Sequence, residues 1–176
     1  MKKSDISVMP QFFDRYINLA EDIDLIEALQ KHASFSEEEI TAWKEIGDYI
    51  YAPNKWTVKD IFQHIIDNER IQAYRALRFA RNDKTALPGY DEELLAANAD
   101  TSKRTLEDLL KEFTSVRLSN IRMFKSFDEV ALQREGICYN TTITPLALGF
   151  VLVGHQIHHL RVINERYLNR DYMTKI

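Results

Sequence analysis

Thr144-Pro145-Leu146-Ala147-Leu148-Gly149-Phe150-Val151-Leu152-Val153-Gly154-His155-Gln156-Ile157-His158-His159-Leu160-Arg161-Val162-Ile163 reads as one helix, and the fold follows from it. Threonine before proline is a strong helix start. The hydroxyl can cap, and proline at the first helical position gives up an amide that had no intrahelical partner. The helix is predicted to run to about Leu168. Leu148, Val151, Leu152, His155, His159, Val162 and Ile163 share a broad apolar stripe, so two titratable groups are set into a core-facing seam. The apolar run from Pro145 to Gly154 is about half of the roughly 20 residues a bilayer span needs. The helix is therefore expected to be wrapped by other helices, with no membrane as partner.

Those partners are legible upstream. Met9 to Lys31 places Phe12 or Phe13, Tyr16, Leu19 or Ala20, Ile23 and Ile26 at three-four spacing, predicting a first long helix. A short helix is predicted from Glu37 to Ile46, with Ser36 and Glu39 forming a capping box. A second long helix starts near Trp56 and Thr57, capped by Thr57 with Asp60, and runs to about Arg81. After the Pro88-Gly89 turn, a third long helix covers about Lys103 to Phe127, with Thr101 or Ser102 as its cap. The connections Asn82 to Thr101 and Asp128 to Ile143 are longer than simple hairpins require and could shape one end of a pocket. With no convincing alternating strand run, the expectation is all-α: a four-helix bundle with an additional short helix, in one domain over residues 1–176.

The 176 residues are enough for a core without covalent staples, and Cys138 is the only cysteine. That excludes an intrachain disulfide and a four-cysteine zinc site, and it fits a reducing cytosol. No apolar stretch follows Lys2 and Lys3, so a cytoplasmic location is expected. The net charge of −4 favours neither nucleic acid nor an anionic membrane. Arg70, Arg75, Arg78 and Arg81 make one stretch locally basic. This reads as a solvated face with intrahelical ion pairs, or as an anion clamp at a cleft mouth.

Three of the five histidines fall within five residues. The i, i+4 spacing of His155 and His159 puts both imidazoles on one helical face, a geometry that a single divalent cation can bridge. His64, inside the second long helix, is available as a third ligand. By spacing alone the pair could also be two hydrogen-bonded core histidines. His158 is one residue out of step, which suits a cleft, contact or surface role. No Glu-x-x-His pair supports a carboxylate-bridged di-metal centre, and glutamine at 156 removes the glutamate base of a zincin. Three neutral imidazoles leave coordination positions open on zinc or nickel, with iron or manganese as further fits.

The run Trp56-Thr57-Val58-Lys59-Asp60-Ile61-Phe62-Gln63-His64-Ile65-Ile66-Asp67-Asn68-Glu69-Arg70, continuing through Tyr74 to Arg81, resembles the first metal-ligand helix of the DinB-like superfamily, the YfiT-type metal-binding four-helix bundles. Gly154-His155-Gln156-Ile157-His158-His159-Leu160-Arg161 resembles its last helix, with the pair His-x-x-x-His. The likeness covers essentially the whole chain. Leu160-Arg161 stands where many relatives carry an Arg-Gly-Gln run, which marks a divergent branch.

The resemblance implies His64, His155 and His159 as ligands of one divalent ion per chain. It also implies thiol-dependent transfer or hydrolysis of a small molecule, with a low-molecular-weight thiol as one possible partner, and a homodimer. Asp67, Asn68 and Gln156 are candidates to orient a nucleophile or a histidine's second nitrogen. Tyr74, Arg75 and His158 are candidate substrate contacts. The competing function is a metal-binding or structural bundle without turnover, and a DNA-binding role is disfavoured by charge. Cys138 reads as a small filler, Trp56 as a core anchor and Trp43 as cover for the short helix.

Overall fold

The computed structural model describes residues 1–168. The last eight residues of the expected domain lie outside the described residues. In chain order the elements are α1 (Asp14–Ile17), α2 (Leu25–Lys31), α3 (Glu37–Ile46), α4 (Val58–Ala80), α5 (Glu92–Asn98), α6 (Leu106–Lys125), α7 (Glu129–Leu132), β1 (Gly136–Cys138), β2 (Thr141–Ile143) and α8 (Pro145–Val162). A short 3-10 turn, Lys3–Asp5, precedes them, and a π-helical turn, Ile163–Tyr167, extends α8. The fold is all-α at its core: α8 packs on α1, α2 and α4, while α4 and α2 both pack on α6.

The caps follow the local chemistry. Ser36 and Glu39 satisfy each other's backbone at the start of α3, and Thr57 and Asp60 do so at the start of α4. Thr144 Oγ1 accepts from Ala147 N at 3.2 Å, and Pro145 occupies the first turn. The cap of α6 is Thr105, whose hydroxyl accepts from Asp108 N. Thr101 instead donates to Asp60 Oδ1 at 2.5 Å, tying the long connection back to the head of α4.

The expected first helix, Met9 to Lys31, is broken into α1 and α2. Phe12 sits in the left-handed region at φ 76°, so the chain enters α1 only at Asp14. Beyond Ile17 the acidic residues of the break take up amino-terminal donors. Asp22 accepts from Ser4 N, and Asp24 both pairs with the Met1 ammonium at 2.7 Å and caps α2 through Ile26 N. The two long connections also carry structure that periodicity did not announce: α5 in one, α7 and a two-stranded antiparallel hairpin in the other.

α8 is buried on every side from Pro145 to Ile157, more than a stripe, as befits a helix apolar all round. Counted on to Tyr167, it is the one helix among the described residues long and apolar enough to cross a bilayer by length and composition. Within the fold, 78% of that window is buried by the protein itself. Two apolar clusters share the interior. One gathers α2, the carboxy-terminal half of α4 and the first half of α8. The other gathers α3, the heads of α4 and α6, and the end of α8, around Phe35, Trp43, Phe62 and Phe113. Since α4 and α8 run antiparallel, His64 meets His155 and His159 where one cluster hands over to the other.

The clusters are joined by a buried ion pair. Arg117 of α6, 0% exposed, donates from Nε and Nη2 to the two carboxylate oxygens of Glu69 on α4 at 2.6 and 2.7 Å. Asn120 donates to the same carboxylate, and the guanidinium also reaches the carbonyls of His32 and Leu152. One salt bridge therefore touches α4, α6, α8 and the end of α2. The basic stretch on α4 is accordingly no uniform solvated face. Arg70 pairs with Glu112 and Arg78 with Asp83, Arg81 lies over Phe127, and Arg75 is buried at 4% exposure.

Candidate metal centre

His64, His155 and His159 converge. His64 Nε2 lies 3.0 Å and His159 Nε2 3.2 Å from His155 Nε2, and the ligand atoms of all three are within 4.8 Å of one another. As hydrogen bonding alone this hub is over-subscribed. A neutral imidazole nitrogen carries either one proton or one lone pair, so His155 Nε2 cannot make two good bonds to its neighbours. Three lone pairs around a cation remove the conflict. Nitrogens at about 2.0–2.1 Å from a tetrahedral zinc stand about 3.3 Å apart, close to the two short edges seen here.

Burial keeps the lone pairs available. Desolvation, with a smaller contribution from His158, lowers the His64 pKa to about 4. Desolvation followed by the neighbouring histidines pushes His155 and His159 well below the usual imidazole value. All three are therefore neutral at pH 7, the protonation state that a metal requires.

Aromatic rings wall the cluster. Trp56 lies 4.9 Å from the His64 ring and stacks at 6.4 Å on His159, while Tyr16 meets His155 edge-on at 5.2 Å. The Tyr167 hydroxyl donates to the Trp56 carbonyl, fixing the entry to α4 against the end of α8. Gly154 lets α1 come this close, because a Cβ there would stand 1.9 Å from the Tyr16 carbonyl oxygen. Trp56 is therefore a wall of the site as well as an anchor, whereas Trp43 is a core residue at 1% exposure.

Cavities open on both sides of the histidines. One, of about 380 Å³, is reached by His155 and lined further by Tyr16, Asn68, Gln72, Arg75 and Tyr90. The other, of about 160 Å³, is reached by His159 beside Trp56 and Tyr51. Glu93 of α5 borders both, so the unforeseen helix in the first long connection forms their shared rim.

Of the remaining candidates, Asn68 and Arg75 face the larger cavity. Asp67 does not join them. It accepts from Gln63 Nε2 at 3.0 Å and lies 4.0 Å from Arg70, which turns to Glu112 of α6, and burial raises its pKa. Tyr74 is 53% exposed, bonded to Arg78 on the outer face of α4, and lines neither cavity. His158 is half-buried against Tyr16 and the His159 ring, without sharing the cluster. Gln156 is 1% exposed and lines neither cavity, and its Oε1 has no hydrogen-bond partner among the described residues. Cys138 is fully buried in the hairpin, and desolvation raises its thiol pKa, the opposite of an activated nucleophile.

Sequence reasoning missed Tyr16, Gln72, Tyr90 and Glu93. The signal for Gln72 was present: His64, Asn68, Gln72 and Arg75 recur at i, i+4, i+8 and i+11, one continuous polar face of α4. Tyr90 and Glu93 come from a connection whose path no periodicity reveals.

A family model described as the DinB superfamily matches residues 15–163. No curated protein matches the sequence. Among solved structures, YfiT from Bacillus subtilis, described as a probable metal-dependent hydrolase with an unusual four-helix bundle topology, aligns with a TM-score of 0.63 and 17% identity. The alignment covers 90% of this chain and 89% of that one, and at this identity it is a likeness of fold.

Proposed function

This chain belongs to the DinB superfamily, and from that premise we propose that it is a metal-dependent enzyme acting on a small molecule. The reading places one zinc or nickel ion per chain on His64, His155 and His159. The observation that carries it is the convergence of three neutral Nε2 atoms, at 3.0 and 3.2 Å about His155, which itself lines a cavity of about 380 Å³. A divalent ion held by these residues would supply Lewis acidity towards a water or thiol nucleophile and a substrate carbonyl.

The protein's own groups do the rest. Three histidine ligands would leave coordination positions free for a nucleophile or substrate, and His155 lines the larger cavity. Trp56 and Tyr16 keep bulk water from the imidazoles, and burial holds those rings unprotonated. Asn68 and Arg75 present polar groups to whatever enters. Whether the nucleophile is water or a low-molecular-weight thiol separates hydrolysis from group transfer, and the same pocket serves both.

The test is turnover of a panel of esters, amides and soft electrophiles by metal-loaded protein, with and without added thiol. Turnover that chelation abolishes and metal restores is the expected result, and its thiol dependence assigns the class. Full metal occupancy without turnover across the panel would instead favour a metal-binding bundle that has no reaction.

A further inference from the structure

We infer that the larger cavity is a carboxylate-binding subsite in which Arg75 receives a monoanionic ligand; this rests on reading that cavity as the substrate site. Two arginines are buried among the described residues, and they differ in one respect. Arg117 has Glu69, whereas Arg75, at 4% exposure, pairs with no carboxylate. Its partners are neutral: Nη1 donates to Gln72 Oε1 at 3.1 Å and Nη2 to the Pro88 carbonyl at 2.7 Å. A buried guanidinium cannot shed its charge, so it is held at a desolvation cost that an anion would offset.

The polarity of the surrounding network is fixed by Arg75 itself. A guanidinium only donates, so Gln72 must turn Oε1 towards it, leaving Gln72 Nε2 to donate to Asn68 Oδ1 at 3.1 Å. Tyr90 also donates to Asn68 Oδ1, at 2.8 Å. Every side-chain amide acceptor of the ladder is thereby used internally. What the ladder itself still offers is donors: the other guanidinium N–H groups, the second Gln72 N–H and the Asn68 amide N–H groups. A site left with donors and an uncompensated cation selects an acceptor-only anion.

Charge favours a monoanion. The lining sets two guanidinium groups, buried Arg75 and exposed Arg15, against the three exposed carboxylates of Asp91, Glu92 and Glu93, a balance that opposes a second negative charge on the ligand. Aromatic rings from Phe12 and Tyr139, 5.2 Å apart, wall the same space and suit an apolar body. The ladder also sets the length. His64 and Arg75 are eleven residues apart, about 16 Å along the axis, and a helical arginine leans back towards the amino terminus, so a small molecule bridges the interval.

Phenylacetate, its neutral counterpart phenylacetamide, and phenyl phosphate are the probes. Binding is measured calorimetrically on the full chain, both metal-loaded and after chelation. Phenylacetate is expected to bind about tenfold or more tighter than phenylacetamide in both states, as a charge-assisted contact to a buried guanidinium would give. Phenyl phosphate is expected to bind more weakly than phenylacetate. Arg75→Met is expected to equalise phenylacetate and phenylacetamide. Gln72→Glu supplies Arg75 with an internal carboxylate, so it is expected to abolish the preference and raise Tm, which keeps the test decisive should Arg75→Met fail to fold.

Equal affinity for acid and amide in wild type, tighter phosphate binding, or a preference that survives either variant would overturn the proposal. A preference that survives Arg75→Met but vanishes on chelation would assign the carboxylate to the metal, leaving the proposed function standing without this subsite. Arg75-dependent preference in a protein without turnover would do the reverse.

Discussion

Changing Glu69 to glutamine keeps the side chain's shape and removes the carboxylate bonded to Arg117, the one such partner among the described residues. The guanidinium, 0% exposed, would then rely on a glutamine oxygen and on the carbonyls of His32 and Leu152 at 3.2 and 3.4 Å. Breaking a buried pair by removing one partner costs about 3–5 kcal/mol, because the remaining charge stays buried and unpaired. Against a total of about 5–15 kcal/mol that is a large fraction of the stability. The midpoint of thermal unfolding should fall by about 10 °C for a chain of this length. Urea unfolding at pH 7 measures the free energy directly, with the m-value reporting whether the native state stays compact. The double variant Glu69→Met with Arg117→Met removes both charges and is expected to cost less than Glu69→Gln alone, since no unpaired charge remains. The pair also grips the Leu152 carbonyl one turn before His155, so Glu69→Gln should weaken metal binding as well. A loss below about 1 kcal/mol, or a double variant worse than the single one, would show that Glu69 does not hold a buried, otherwise unpaired charge.

Three further outcomes follow from the same structure. Burial, and then the Arg117 charge, lowers the His32 pKa to about 4 from 6.5. As pH falls the unfolded chain takes up this proton first, so His32 contributes a loss of stability between pH 6.5 and about 4. His32→Gln should flatten that acid limb relative to wild type, and superimposable stability profiles would exclude the effect. Gly154→Ala should destabilise by about 3 kcal/mol or more, as an overpacked core does, because its Cβ would stand 1.9 Å from the Tyr16 carbonyl. Wild-type stability in denaturant would show that α1 does not press on α8 there. Finally, with the His64 pKa near 4, protons should compete with metal only as pH approaches that value, not at the 6.5 of a free imidazole. Metal titrations across pH check this, and a steep loss of affinity between pH 7 and 6 would contradict it.

The caps and the long helices were legible because their causes are local. Thr144-Pro145, Ser36 with Glu39, and Thr57 with Asp60 each satisfy backbone groups within one turn, so spacing alone placed them. The first helix was misread because an apolar three-four pattern says nothing of Phe12 in the left-handed region, or of Asp22 and Asp24 being taken by the chain's own start. The histidine triad was readable from the i, i+4 pair, but its convergence with His64 depends on the antiparallel packing of α4 and α8. Asp67 and Asn68 show the limit of resolution. They are adjacent in sequence, yet one helical step of about 100° leaves Asp67 bonded to Gln63 along α4 and turns Asn68 to the cavity. The pairing of Glu69 with Arg117 was not legible, because nothing local announces a partner 48 positions away.

The proposed centre holds one ion on His64, His155 and His159. Elemental analysis of untagged protein, purified anaerobically, tests it on wild type and on His64→Ala, His155→Ala and His159→Ala. About one divalent ion per chain is expected in wild type, with marked loss from each variant, because each of the three ligands is needed to hold a first-row cation. Full metal retention in the three variants, or a wild type that takes up none when offered zinc or nickel, would contradict it.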